Sequence, residues 1–160
     1  MSRVVVNEIE AKVGNDITFN DTVKIDTIKG KTAAGSILVT GEGNSTTTNL
    51  QQGLAKSWLF FNQGGPTVTG SFNVASVTDT STGLYDQNLT SAMAGTTDLC
   101  FSGLGHHNSG DTNSRDVCFQ RDNRGTHSAS AIPFQSYDAG DGNSLGDEEF
   151  VSTQIFGSLA

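Results

Sequence analysis

Apolar side chains in the first part of this chain recur at every second position, and each run stops almost at once. Val4 and Val6, Ile17 and Phe19, Val23 and Ile25, and Ile37 and Val39 form such doublets. Turn-prone groups separate them: Gly14-Asn15-Asp16, Asn20-Asp21, Lys29-Gly30-Lys31 and Ala34-Gly35-Ser36. Period two broken by frequent turns reads as very short strands. The composition agrees. Charged residues are 16% of the 160 residues, against a typical ~25%. Ser, Thr, Asn and 19 glycines fill their place. These residues favour caps, turns and wet strand faces over helix interiors. The expected fold class is all-β.

The polar stretch GEGNSTTTN, residues 41–49, reads as a linker that enters one helical turn at Thr47 to Gln52. The expected organisation is therefore a β segment over 1–43 and an antiparallel β-sandwich over 44–160. In the second part GLAKSWLFFN, VTGSFNVASV, GLYDQNL, TDLCFSGLG, DVCFQRD, HSASAIPFQSY and EFVSTQIFGSL supply strands. Polar or glycine-rich loops lie between many of them. The only tryptophan, Trp58, sits in the most apolar run. Strand alternation divides that run into Ala55, Ser57, Leu59 and Phe61 on one face and Lys56, Trp58 and Phe60 on the other. Leu59 and Phe61 are expected in the core, and Trp58 and Phe60 on a half-exposed or intersubunit face.

Each N-terminal strand offers only two or three inward residues. Burial worth ~25 cal/mol per Å² does not then match ordering costs of ~1–2 kcal/mol per residue. The segment needs a partner, and a second and third copy in a β-stem or β-prism are the obvious suppliers. A homotrimer is the expectation.

Residues 1–50 carry five bases against six acids, and the remainder four against eleven, for a net charge of −8. Phosphate binding wants clustered Lys and Arg, so no nucleic-acid partner is expected. The opening MSRVVVNEIE lacks the apolar region of a secretion signal, and no apolar run has transmembrane length. Synthesis in a cytoplasm without membrane insertion is expected. Asn20, Asn44 and Asn88 open glycosylation-like triplets that a chain rich in Asn, Ser and Thr contains by chance.

TTTNLQQGLAKSW, SFNVASVTDTSTGLY and the closing VSTQIFGSLA resemble a module of tailed-bacteriophage virion proteins, especially those of marine phages and cyanophages. That module opens with Asn-Leu-Gln-Gln-Gly-Leu-Ala-Lys-x-Trp, which Asn49–Trp58 match, and closes with Gln-Ile-Phe-Gly, which Gln154–Gly157 match. VNEIEAKVGNDITFNDTVKIDTIKGKTAAG looks like leader segments of phage fibre proteins. The resemblance is specific at both ends of the second part and loose in its middle. There Thr82-Gly83-Leu84-Tyr85 runs into Asp86-Gln87-Asn88-Leu89 instead of an alternating Thr-Val-Asn-Phe strand, so a bent or rebuilt strand is expected. The resemblance implies a trimeric structural protein of the virion, on a tail fibre or as a head fibre or capsid decoration. Residues 1–40 would then contact capsid or tail proteins.

No catalytic constellation is legible. The histidines are His106, His107 and His127, and no Gly-x-Ser-x-Gly elbow occurs. Cys118 alternates as a buried, inert thiol. It and Cys100 fall on neighbouring predicted strands, which leaves their pairing open. No cofactor or metal site is expected. The nearest to one are His106 and His107, which as strand neighbours point to opposite sides, and the acids Asp138, Asp141 and Asp147. The acids lie in DAGDGNSLGDEE, which could wrap Ca²⁺ but lacks EF-hand spacing. That loop alone supports the alternative of a Ca²⁺-dependent lectin-like or carbohydrate-active domain. Loops 79–83, 104–115 and 138–149 are the expected recognition surface. His106, His107, Asn108, Tyr137 and Asn143 are its candidate contacts to a host-surface glycan.

Overall fold

The computed structural model describes residues 20, 22–30, 37–40, 47–106, 116–120, 127–138 and 144–160. The fold is all-β and antiparallel, with one helical turn. Strands β1 (Leu38–Thr40) and β2 (Thr47–Asn49) form a two-stranded sheet. They pair across the expected boundary at 43/44, which itself lies outside the described residues. The helical turn α1 (Leu50–Gly53) follows β2 directly. Asn49 caps it, Oδ1 accepting from the backbone N–H of Gln51 and Gln52. Val23 and Ile25, expected on a strand, lie in the stretch 22–30, which carries no strand, and both side chains are exposed. The doublets Val4/Val6 and Ile17/Phe19 lie outside the described residues.

The main sheet contains β3 (Ser57–Asn62), β4 (Thr67–Phe72), β5 (Val74–Ser81), β6 (Leu84–Leu89), β7 (Leu99–His106), β8 (Asp116–Gln120), β9 (Ala131–Asp138), β10 (Ser144–Leu145) and β11 (Phe150–Gly157). Their order is β4-β3-β11-β7-β8-β9-β6-β5, with β10 added to β9. The two ends of this order, β4 and β5, are consecutive in the chain and are joined by Asn73 alone. The sheet must therefore curl until its two end strands come together at Asn73, giving a sandwich-like body in which β4 and β5 do not pair. Its halves are β4-β3-β11-β7 and β8-β9-β6-β5.

Asn73 makes the corner. Its φ of 56° is left-handed, a conformation Asn tolerates better than most residues. Its Nδ2 donates to the carbonyls of Lys56 and Ser91, and its Oδ1 accepts from the N–H of Ser91. One amide thus ties β3, the β4–β5 bend and the end of β6 together. The bend expected in Asp86–Leu89 is not found: β6 pairs regularly with β9 from Leu84 to Asn88. The irregularities sit in its other neighbour, β5, between Val74 and Ser76 and between Asp79 and Ser81.

Alternation along β3 is as read: Ser57, Leu59 and Phe61 are buried, Trp58 and Phe60 exposed. Leu59, Phe61, Tyr85, Cys118, Phe134 and Val151 form one apolar cluster, and Leu89, Met93, Ile132 and Ile155 a second. Phe61 meets Tyr85 edge-on at 5.2 Å, and Tyr85 stacks on Phe134 at 5.7 Å. A buried polar rung lies where the clusters meet. Gln87 of β6 donates through Nε2 to Ser57 Oγ at 2.8 Å, and its Oε1 accepts from Thr153 Oγ1 at 2.6 Å. Gln87 follows Tyr85 of one cluster and precedes Leu89 of the other on the same strand face, as Thr153 does between Val151 and Ile155.

Candidate functional site

The register sorts the connections to two ends. At one end α1 enters β3, Asn73 turns the corner, and β11 finishes beside the start of β7, with Gly157 opposite Leu99. At the other end lie the turns β3–β4 and β5–β6, the end of β7 and start of β8, and the run from β9 to β11. The strand ends that flank the three loops expected to form a recognition surface, 79–83, 104–115 and 138–149, therefore share one end, opposite the entry of α1.

Hydrogen bonds between connections build this loop end. Asp147 Oδ1 accepts from the backbone N–H of Gly83 at 2.6 Å and from Tyr85 Oη at 2.9 Å. Gly83 has φ +66°, and a Cβ there would stand 2.8 Å from the Ser136 carbonyl and 2.9 Å from Gly146 N, so the turn requires glycine. Ser136 N–H donates to the Gly83 carbonyl, and Gly146 N–H to the Ser136 carbonyl. Gln63 joins the β3–β4 turn to the acidic loop: its buried Oε1 accepts from Ser136 Oγ and from Glu148 N–H, and its own N–H donates to the Glu148 carbonyl. Burial, then the Asp147 bond and the charges of Asp147 and Asp79, push the Tyr85 hydroxyl well above the ordinary phenol range. Tyr85 stays a neutral donor at any physiological pH.

Asp147, a candidate Ca²⁺ ligand by sequence, thus spends one oxygen holding Gly83 and Tyr85 in place. Among the described residues no three His, Cys, Asp or Glu side chains come together as a metal site. Asp141, Asn143, His107 and Asn108 lie outside the described residues, and for His106 and Asp138 only the backbone is described. His106 ends β7 opposite Phe150, and Asp138 ends β9 between Asp116 and Ser144. Tyr137 precedes it, half-buried, opposite Val117 and Leu145.

Both cysteines are free, although their strands are neighbours. Cys118 is buried, and its Sγ would stand 2.8 Å from a Cβ on Gly103, so it packs over that glycine inside the sandwich. Cys100, three residues earlier on β7, points to the outer face and is exposed. Burial pushes the Cys118 thiol up to about 12, which leaves no thiolate for chemistry near neutrality.

At the opposite end an open groove of about 540 Å³ runs between α1, Phe72 and the C-terminal residues Ser158 and Leu159. Lys56 lies along it, its ammonium donating to the carbonyls of Gln51 and Leu54. Partial burial lowers its pKa. Among the described residues no Asp, Glu, His or Cys side chain lines the groove with that lysine. Among the described residues no helix is long and apolar enough to cross a membrane.

Sequence reading found the loops but not the residues that join them. Gln63, Gln87 and Asn73 read as polar residues in turns or strands, and only their parity with buried neighbours marks them. Comparison with protein-family models, with curated proteins and with solved structures finds no match.

Proposed function

We propose that the protein is a non-enzymatic structural component of a tailed-phage virion, displayed as a homotrimeric head fibre, capsid decoration or small tail fibre. One observation carries the reading: the chain enters the sandwich at one end, through α1, and the long polar loops gather at the other. A domain so built presents its loops outward from whatever holds its N-terminal segment. Residues 1–43 anchor the copies on capsid or tail proteins, and the loop end faces the host. Contact there with surface glycans is weak per copy and firm by multivalency. Hydrogen-bonded turns on a sheet scaffold suit that role, because they hold loop ends without fixing loop sequence. The resemblance of Asn49–Trp58 and Gln154–Gly157 to virion modules points the same way.

The test is made on particles. Peptides of this chain are expected in purified virions, with a copy number divisible by three, and incorporation should be lost when residues 1–43 are deleted. Full-length protein should sediment as a trimer. Absence from particles, or a full-length monomer, overturns the reading. Glycan binding abolished by chelation, or glycan turnover, would replace it with a lectin or a carbohydrate-active enzyme on the same scaffold.

A further inference from the structure

The two outer faces of the sandwich differ. On the β5–β6 side the outward residues form a polar ladder, Asn88 Nδ2 donating to both Ser76 Oγ and Thr78 Oγ1. On the β4-β3-β11-β7 side they are Trp58, Phe60, Phe72 and Leu104, exposed by 42%, 41%, 53% and 69%. No large hydrophobic of β5, β6 or β9 is exposed in this way among the described residues. The face is also flat. The indole of Trp58 lies across Gly70 of β4, where a Cβ would stand 3.3 Å from the ring. Phe60 stacks on Phe150 of β11 with centroids 5.5 Å apart and planes within 3°.

We infer that this face is an interface between copies of the same chain. Three observations select that occupant. The first is charge. In a chain of net charge −8, β4 is uncharged throughout and the outward positions of β3 and β11 hold no acid. The lysine at the rim, Lys56, is turned to backbone carbonyls. A contact between identical copies must not repel itself, and this is the part of the sheet that does not. The second is the edge. β4 is paired on one side only, to β3, and TVTGSF has no charge or proline and a single register shift, at Thr69, to blunt it. Weakly protected edges of this kind can pair with another chain. β5, the other end of the sheet order, carries Asp79 and two register shifts. The third is area. With Leu54 and Leu159 at the groove end, also exposed, the face offers roughly 500 Å² of apolar surface, near the top of the ~300–600 Å² patch on a typical monomer.

The inference deepens the proposed function by naming the partner of the sandwich domain as its own chain and the surface through which it binds. Trp58, the single tryptophan, reports on it directly. In full-length protein its emission should shift to the blue as concentration rises, in step with sedimentation of a larger species. The variant F72E/L104E places two carboxylates per copy on the face at exposed positions. It should keep the wild-type far-UV spectrum while association weakens ~100-fold or more. Thr82→Glu, on the exposed turn at the far end, should associate as wild type. Should F72E/L104E not fold, the concentration dependence of Trp58 emission in the wild type decides alone. Oligomers with unchanged Trp58 emission, or unchanged association in folded F72E/L104E, overturn the inference and leave a trimer held by residues 1–43 intact. A monomer overturns both. Emission that responds to oligosaccharide but not to protein concentration assigns the face to sugars and overturns it as well.

Discussion

Replacing Gln87 by leucine tests whether the polar rung between the two apolar clusters acts as a unit. The side chain is fully buried and makes two hydrogen bonds, to Ser57 Oγ and from Thr153 Oγ1. Losing both costs about 1 kcal/mol each, and the Thr153 hydroxyl left without its acceptor adds about 1–2. Ser57 keeps its bond to the Phe72 carbonyl. Gln87→Leu should therefore destabilise by about 3–4 kcal/mol, offset by about 1 for the added apolar contact. At roughly 2–4 °C per kcal/mol for a domain of this size, Tm falls by about 4–12 °C. Thr153→Val alone should cost about 1–3 kcal/mol, because it leaves the Gln87 carbonyl oxygen unpaired. The double variant removes both partners, and its loss should be smaller than the sum by about 1–2 kcal/mol. Urea titration followed by far-UV circular dichroism at one fixed protein concentration measures all four species. Additivity within about 0.5 kcal/mol, or a Gln87→Leu variant as stable as wild type, would refute the reasoning.

Asn73→Ala gives up three side-chain bonds at the corner and puts a Cβ without a polar group at φ 56°. It should cost about 2–4 kcal/mol in the same titration, with Asn73→Gly about 1 kcal/mol milder because only the bonds are lost. Gly83→Ala meets the Ser136 carbonyl and Gly146 backbone. It should lower stability by about 2 kcal/mol or more and increase cleavage by added protease between residues 138 and 147. Alkali tests Cys118, whose thiol is raised from 9.0 to about 12 in the folded state. The unfolded chain then loses its proton first, so stability is complete below about pH 9 and falls above it, by up to about 1.4 kcal/mol per pH unit. Cys118→Ala should flatten that decline between pH 9 and 10, and an unchanged slope would count against a buried neutral thiol.

Much of the fold was legible because period-two patterning survives single-sequence reading. β3 is the clear case: Leu59 and Phe61 went inward and Trp58 and Phe60 outward as alternation required. The strands of TDLCFSGLG, DVCFQ, AIPFQSYD and EFVSTQIFG also appeared where the apolar alternation lay. The corner at Asn73 was not legible. Phe72 and Val74 are both apolar with one polar residue between, which is also how an unbroken strand looks. The regular course of β6 was missed for a related reason. Asp86, Gln87 and Asn88 lack the apolar residues that mark a strand. Gln87 nevertheless goes inward because Ser57 and Thr153, on two strands of the opposite half of the sandwich, supply its partners. The loop end was legible as a set of polar loops and illegible as a structure. Its joints, Asp147 to Gly83 and Gln63 to Glu148, span 64 and 85 residues of sequence.

The two ends of the sandwich cohere by different forces, and this bears on what each can do. At the α1 end, Leu89, Met93, Ile132 and Ile155 close the core, and Met93 bridges Leu159 of the C-terminal stretch. Beside the directional bonds of Asn73, these non-directional contacts hold the end by volume, and it tolerates little change in shape. At the loop end the ties are single directional bonds from buried Gln63, Ser136 and Tyr85 to the backbone or side chain of residues 146–148. Each fixes where a loop leaves and rejoins the sheet. Ser144 opposite Asp138 brings the two exits of the β9–β10 connection together. A loop whose exits are fixed in this way can change its length at about 0.6 kcal/mol per doubling without disturbing the sheet below. That is what a surface under pressure to recognise changing partners requires, and the apolar end is not built that way.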